Sequence, residues 1–277
     1  MRLVTFRTQD GPRAGLVRDE LVFPLPWPDV GAAIPVGFPA ILAAAGTVAP
    51  LPLADLTLLA PILRPGKIVA VGLNYRDHCE EQNLPPPERP TLFAKFTTAI
   101  THPEAAIRWD PAVTQQVDYE AELAVIIGRT ARRVSAAAAY DYVFGYTCLN
   151  DITARDLQKA DGQWVRSKSL DTFCPLGPVV VTADELPDPH GLRIQTWVNG
   201  ELRQDSNTAQ LIHNVPALIA FCSAAFTLEP GDIITTGTPG GVGLYRQPPS
   251  FLQPGDQVEI AIERIGRLRN PIGPYLE

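Results

Sequence analysis

Two glutamates separated by one residue, Glu120 and Glu122, lie in the run Asp118-Tyr119-Glu120-Ala121-Glu122-Leu123. In a strand, residues i and i+2 face the same way, so the two carboxylates project side by side. Unpaired, they repel and one protonates. A hard divalent cation resolves the conflict by taking oxygen from both. An isolated pair of this kind also suits a solvated strand face. Here, however, the run continues as Leu123-Ala124-Val125-Ile126-Ile127, which reads as a core strand. Asn150-Asp151 follows a second apolar stretch, residues 143–149, and precedes a helical pattern. Asp151 is placed there either to cap that helix, a task open to Thr153 as well, or to supply a third carboxylate. Three carboxylates suit Mg²⁺ or Mn²⁺, with water or substrate in the remaining positions.

His78 and Glu81 stand at i and i+3, neighbours on a helix, with Asn74 and Tyr75 just before. A carboxylate beside an imidazole orients it and raises its basicity, as activation of water requires; a surface ion pair has the same spacing. The proline- and charge-rich residues 84–90 that follow suit a mobile lid. Lys168 reads alone as a surface lysine; in a site it stabilises an enolate or binds a carboxylate. Residues 235–243, Thr-Thr-Gly-Thr-Pro-Gly-Gly-Val-Gly, lack the order of nucleotide-binding loops, but their amides can cradle a carboxylate. No GxSxG or HExxH motif is present, and His78, His102, His190 and His213 are scattered, which disfavours a histidine-rich zinc site.

These groups need a scaffold of short elements. Strand patterns cover residues 3–6, 14–17, 68–72, 92–96, 119–127, 143–149, 179–182, 193–199, 233–236 and 258–262. Asn199-Gly200 marks a hairpin turn. Helices are expected over residues 39–45, 75–82, 134–140, 154–160 and 215–226. Strands outnumber helices. The chain divides into a small N-terminal domain, residues 1–65, and a larger domain, residues 66–277, with the boundary near Pro61-Ile62-Leu63-Arg64-Pro65-Gly66.

Composition agrees. Of 277 residues, 28 are proline, about twice the usual level, which excludes long helical bundles, coiled coils and helical solenoids. The 45% hydrophobic content excludes disorder. A net charge of −7 argues against nucleic acid but not against a small anionic substrate. The uncharged residues 30–54 contain four prolines, unlike a membrane-spanning helix. Cys79, Cys148, Cys174 and Cys222 form no metal-binding spacing and read as reduced thiols. With no hydrophobic leader at the N-terminus, a cytoplasmic location is expected.

In order and combination these segments resemble the fumarylacetoacetate hydrolase superfamily. The likeness is carried by Val71-Gly72-Leu73-Asn74-Tyr75 with His78 and Glu81; by residues 118–123; by Asn150-Asp151-Ile152-Thr153-Ala154-Arg155-Asp156 with Gln158; and by residues 168–178. Val198-Asn199-Gly200, Thr236-Gly237-Thr238-Pro239, Gly241-Val242-Gly243 and residues 252–256 complete it. It spans roughly residues 66–277. The resemblance implies a β-rich α+β fold, a mixed β-sandwich roll, and a homodimer that binds Mg²⁺ or Mn²⁺. It assigns Glu120, Glu122 and Asp151 to the metal and His78 and Glu81 to a water-activating dyad. Lys168 is implied to be catalytic, and Gln158, Gly237 and Thr238 to hold the 2-oxo-acid end of the substrate. His102 departs from the pattern. The implied reaction is hydrolysis of a C–C bond in a 2,4-dioxo acid of the acylpyruvate type. His78 deprotonates the attacking water, and the metal and Lys168 absorb the charge of the enolate that leaves. Decarboxylation of an oxaloacetate-like acid, isomerisation of a 2-hydroxymuconate-type dienoate, and non-catalytic binding of 2-oxo acids are the alternatives.

Overall fold

The computed structural model describes residues 1–276. Its largest element is a mixed twelve-stranded sheet. The N-terminal segment contributes β1 (Arg2–Thr8), β2 (Gly11–Arg18), β3 (Leu21–Pro24), β4 (Leu51–Pro52) and β5 (Leu58–Leu59), with helices α1 (Val30–Ala33) and α2 (Gly37–Ala44) between β3 and β4. β6 (Ile68–Gly72) leads into helix α3 (Arg76–Glu81), followed by β7 (Thr91–Lys95), β8 (Ile100–Thr101), β9 (Val117–Asp118), β10 (Ala121–Ile127), β11 (Val143–Asn150) and β12 (Thr153–Ala154). Helices α4 (Arg155–Asp161) and α5 (Val165–Lys168) precede β13 (Cys174–Thr182). A hairpin of β14 (Arg193–Val198) and β15 (Glu201–Asn207), helix α6 (Val215–Ala225), β16 (Ile233–Thr235), β17 (Gln257–Ile262) and β18 (Gly266–Pro271) complete the chain.

The large sheet runs β4-β3-β2-β1-β13-β11-β10-β16-β6-β7, and a second sheet runs β15-β14-β17-β18. The N-terminal strands therefore continue the sheet of the larger region, through antiparallel pairing of β1 with β13. His102 reinforces that junction: its Nδ1 accepts the Ala60 amide at 3.1 Å.

β10 shows how the chain sorts its faces. Leu123, Val125 and Ile127 point into the core between the two sheets, with Tyr146, Cys148, Ile260, Ile262 and Leu268. On the opposite face, Ala124 packs with Leu149, Cys174 and Leu176. Ile126 joins Leu3, Leu16, Leu25 and Ile41 of the N-terminal segment. A strand covered on both sides has to be apolar throughout, which accounts for its unbroken hydrophobic run. Glu122 lies on the second face, and the site forms there.

The Asn-Gly hairpin is present: Val198 pairs with Glu201, and Asn199 (φ 52°) and Gly200 (φ 80°) both take the left-handed conformation its turn requires. Residues 136–142 form a 3₁₀ helix in place of the expected α-helix over 134–140. The strand expected from Tyr119 begins regular pairing only at Ala121, because Asp118 pairs instead with Thr153. No helix among the described residues is long and apolar enough to cross a membrane.

Candidate active site

β10, β11 and the turn after β11 bring three carboxylates together. Ala121 pairs with Asn150, and the Asp151 amide donates to the Glu120 carbonyl at 2.9 Å, which sets Asp151 beside the Glu120–Glu122 pair. Ligand oxygens of Glu120, Glu122 and Asp151 all lie within 4.8 Å of one another, and all three side chains are buried. Asp151 does not cap α4. The residue at that cap is Ala154, and Thr153 donates its hydroxyl to the Asp151 carbonyl.

Three cations balance this cluster. Lys168 Nζ donates to Glu120 Oε2 and to Asp151 Oδ2, each at 2.7 Å. Lys95 Nζ lies 2.5 Å from Asp151 Oδ1. Arg155 donates from Nη1 to Glu120 Oε1 at 2.7 Å and from Nε to Asp118 Oδ2 at 2.8 Å. Burial alone would raise the Glu120 carboxyl; Lys168 and Arg155 overcome it and hold it at about 2. Glu122 has no such cation in contact. Burial, then the charges of Asp151 and Glu120, push its carboxyl well above the ordinary range. Four buried carboxylates, Asp118 included, face three cations, which leaves Glu122 without a counter-charge for its ionised form. A hard divalent cation would supply that counter-charge, and the all-oxygen donor set of Glu120, Glu122 and Asp151 fits one.

The glycine-rich loop after β16 turns its amides inward. Gly237 donates to Glu122 Oε2 at 2.8 Å, Gly241 to Glu81 Oε2 at 2.8 Å and Gly243 to Asp118 Oδ1 at 2.8 Å. The carboxylates this loop cradles are thus the protein's own. Gly241 (φ 100°) can be no other residue without rearrangement, since a Cβ there would lie 2.3 Å from the Arg203 carbonyl. Thr235 adds its hydroxyl to Glu122.

Helix α3 carries the dyad. His78 Nδ1 is 2.5 Å from Glu81 Oε1. His78, Glu120, Glu122, Gln158, Lys168 and Thr238 all line one cavity of 350 Å³. Gln158 accepts from Arg155 Nη1 at 3.1 Å, and Thr238 accepts from Gln204 at 2.9 Å. Asp151, Glu81 and Gly237 stand behind that lining, each in contact with a group that belongs to it. Every candidate named from the sequence is therefore in this cavity's wall or directly behind it.

A profile described as "Fumarylacetoacetate (FAA) hydrolase C-terminal" matches residues 67–273. The chain belongs to the fumarylacetoacetate hydrolase family. Among its relatives is a mitochondrial oxaloacetate tautomerase of Xenopus laevis, 49% identical over 220 residues that cover 79% of this chain and 69% of that one. A fumarylacetoacetate hydrolase from Exiguobacterium antarcticum shares the fold at a TM-score of 0.90, with 39% identity and 99% of each chain covered. A 2-hydroxyhepta-2,4-diene-1,7-dioate isomerase from Mycobacterium marinum does so at 0.82, with 40% identity over 99% of this chain and 98% of that one. The fold shared with these structures covers 99% of the chain, N-terminal strands included.

Several side chains at the site carried no signal in the sequence. Lys95 lies 56 residues from the Asp151 it contacts and ends an ordinary strand. Arg155 stands inside the matching segment 150–156 without an assigned role, yet it lines the cavity, and its buried Nη2 has no hydrogen-bond partner among the described residues. Asp118 was legible in principle, two residues before Glu120 on the same side of an extended chain.

Proposed function

We propose that this protein interconverts the keto and enol forms of small 2-oxo acids of the oxaloacetate type, with His78 as the base that moves the C3 proton. The observation that carries this reading is the His78–Glu81 pair opening on the same 350 Å³ cavity as Glu120 and Glu122. Glu81 occupies Nδ1, which fixes the ring and leaves Nε2 for the substrate. Mg²⁺ or Mn²⁺, held by Glu120, Glu122 and Asp151, would polarise the 2-oxo group and acidify the adjacent C–H. Lys168 uses two of its three N–H donors on Glu120 and Asp151, and the third is free for the enol oxygen. Arg155 Nη2, without a partner among the described residues, suits a substrate carboxylate. With a divalent cation in place the site would turn net positive and attract a small dianion. The high identity to oxaloacetate tautomerases supports this substrate class.

Hydrolytic cleavage of a C–C bond in acylpyruvates is the second reading. The same dyad supports it, as does the likeness to a fumarylacetoacetate hydrolase. His78 would then take its proton from water. Decarboxylation and diene isomerisation also pass through an enolate. A homodimer is part of this proposal.

Oxaloacetate, an acylpyruvate and a 2-hydroxymuconate assayed side by side with Mg²⁺ and with Mn²⁺ separate these reactions. Accelerated decay of enol-oxaloacetate is the expected result. Turnover of the acylpyruvate alone would replace tautomerisation with hydrolysis.

A further inference from the structure

We infer that Trp164, seated on Gly72, is the wall that limits the size of the group a substrate carries beyond its 2-oxo-acid head. This rests on the reading that the cavity takes 2-oxo acids.

Gly72 ends β6, on the cavity. A Cβ built there would lie 2.3 Å from Trp164 Cζ3 and 2.9 Å from Cη2. The indole therefore packs directly on backbone, in space that any side chain at position 72 would take. Phe93, on the neighbouring strand β7, holds the indole from a second side, edge to face at 5.3 Å between ring centroids. All three residues line the cavity.

The wall is tied to the catalytic end. Trp164 immediately precedes α5, and its carbonyl accepts the Lys168 amide at 3.0 Å, so one helical turn delivers both the indole and the ammonium. Lys168 Nζ sits 5.1 Å from the Phe93 ring centroid. The aromatic pair thus begins where the charged cluster stops. Beyond a head held at Lys168, Phe93 and then Trp164 form the cavity wall on that side. Both cations that line the cavity, Lys168 and Arg155, lie at the charged end beside Glu120, so the aromatic wall itself offers no charge to a longer acidic chain. The structure thus selects compact 2-oxo acids by a steric stop.

The test is calorimetric titration of Mn²⁺-loaded protein with oxalate, pyruvate, 2-oxobutyrate, 2-oxohexanoate and phenylpyruvate, for wild type, Trp164→Ala and Trp164→Phe. Oxalate has only the head, so it reports the site without the wall. Wild type is expected to bind oxalate and pyruvate and to lose at least about tenfold with 2-oxohexanoate and phenylpyruvate. Trp164→Ala is expected to keep its oxalate affinity within about threefold and to recover the two long ligands by at least about tenfold. Trp164→Phe is expected to fall between them. An unchanged ligand ranking in Trp164→Ala, or an equal loss for oxalate and the long ligands, would overturn the wall. Failure of wild type to bind either oxalate or pyruvate would overturn the 2-oxo-acid reading, and the wall with it.

Discussion

His78 Nδ1 stands 2.5 Å from Glu81 Oε1, and Glu81 Oε2 in turn accepts the Gly241 amide at 2.8 Å. The imidazole is therefore positioned from behind by a carboxylate that is itself fixed to the loop holding Glu122. Removing the imidazole should leave the carboxylate cluster intact. His78→Asn is expected to lower kcat about 10²- to 10⁴-fold, while Mn²⁺ affinity measured by calorimetry stays within error. Equal loss of metal would make His78 a structural residue.

Gly241→Ala tests the support of that base. The new Cβ would meet the Arg203 carbonyl at 2.3 Å, so the loop has to shift and Glu81 loses its amide. Lower kcat is expected together with a lower Tm. A variant with normal turnover and normal Tm would show that the loop does not position the dyad.

Metal binding should depend on pH through Glu122. Its carboxyl is raised by burial and by the charges of Asp151 and Glu120, and a cation needs the ionised form. Binding then displaces a proton, so Mn²⁺ affinity should rise with pH, by up to about tenfold per unit where Glu122 is protonated in the free protein. Titrations in two buffers of different ionisation enthalpy measure that proton directly. Glu122→Gln should abolish the proton release and weaken the metal. Metal stripped with a chelator should abolish turnover, and Mn²⁺ should restore it.

The sequence carried the core of this site because its chemistry is local. Glu120 and Glu122 sit one residue apart, His78 and Glu81 one turn apart, and Asp151 at a strand end, so spacing alone suggests their partnerships. Lys95 and Arg155 could not be found that way. A lysine at the end of a strand looks solvated until the fold buries its ammonium against Asp151. The glycine-rich loop read as a cradle for a ligand's carboxylate. Its amides go instead to Glu81, Asp118 and Glu122, since a buried carboxylate of the chain competes for them before any ligand arrives. Prolines mark the small N-terminal region in the sequence, but not how its strands attach to the rest. Their edge bonds to β13, a pairing across about 180 residues that no local pattern encodes.

His102, unaccounted for in the sequence, accepts the Ala60 amide only when its Nδ1 is unprotonated. Burial first, and the charge of Arg7 second, lower its pKa below the ordinary histidine value. The unfolded chain then takes up a proton that the folded chain refuses. This contribution to stability is complete above the ordinary histidine pKa of about 6.5 and is lost as pH falls below it. Between pH 7.5 and 5.5 the wild-type Tm should drop by more than that of His102→Asn. Parallel Tm profiles for the two proteins would rule this out.

The four cysteines should be silent. All are buried, and burial pushes Cys148, Cys174 and Cys222 up to about 12 and raises Cys79 as well. Thiol titration at pH 8 is expected to detect none in the native protein and four after denaturation.

In the proposed reaction His78 moves a proton at C3 of a compact 2-oxo acid. That transfer is tested most directly by the ultraviolet decay of enol-oxaloacetate, followed with Mn²⁺-loaded wild type and with Mn²⁺-loaded His78→Asn. Rapid, metal-dependent ketonisation by wild type and a rate near that of free Mn²⁺ for the variant are expected. Equal rates for the two proteins, with metal bound in both, would contradict this role of His78.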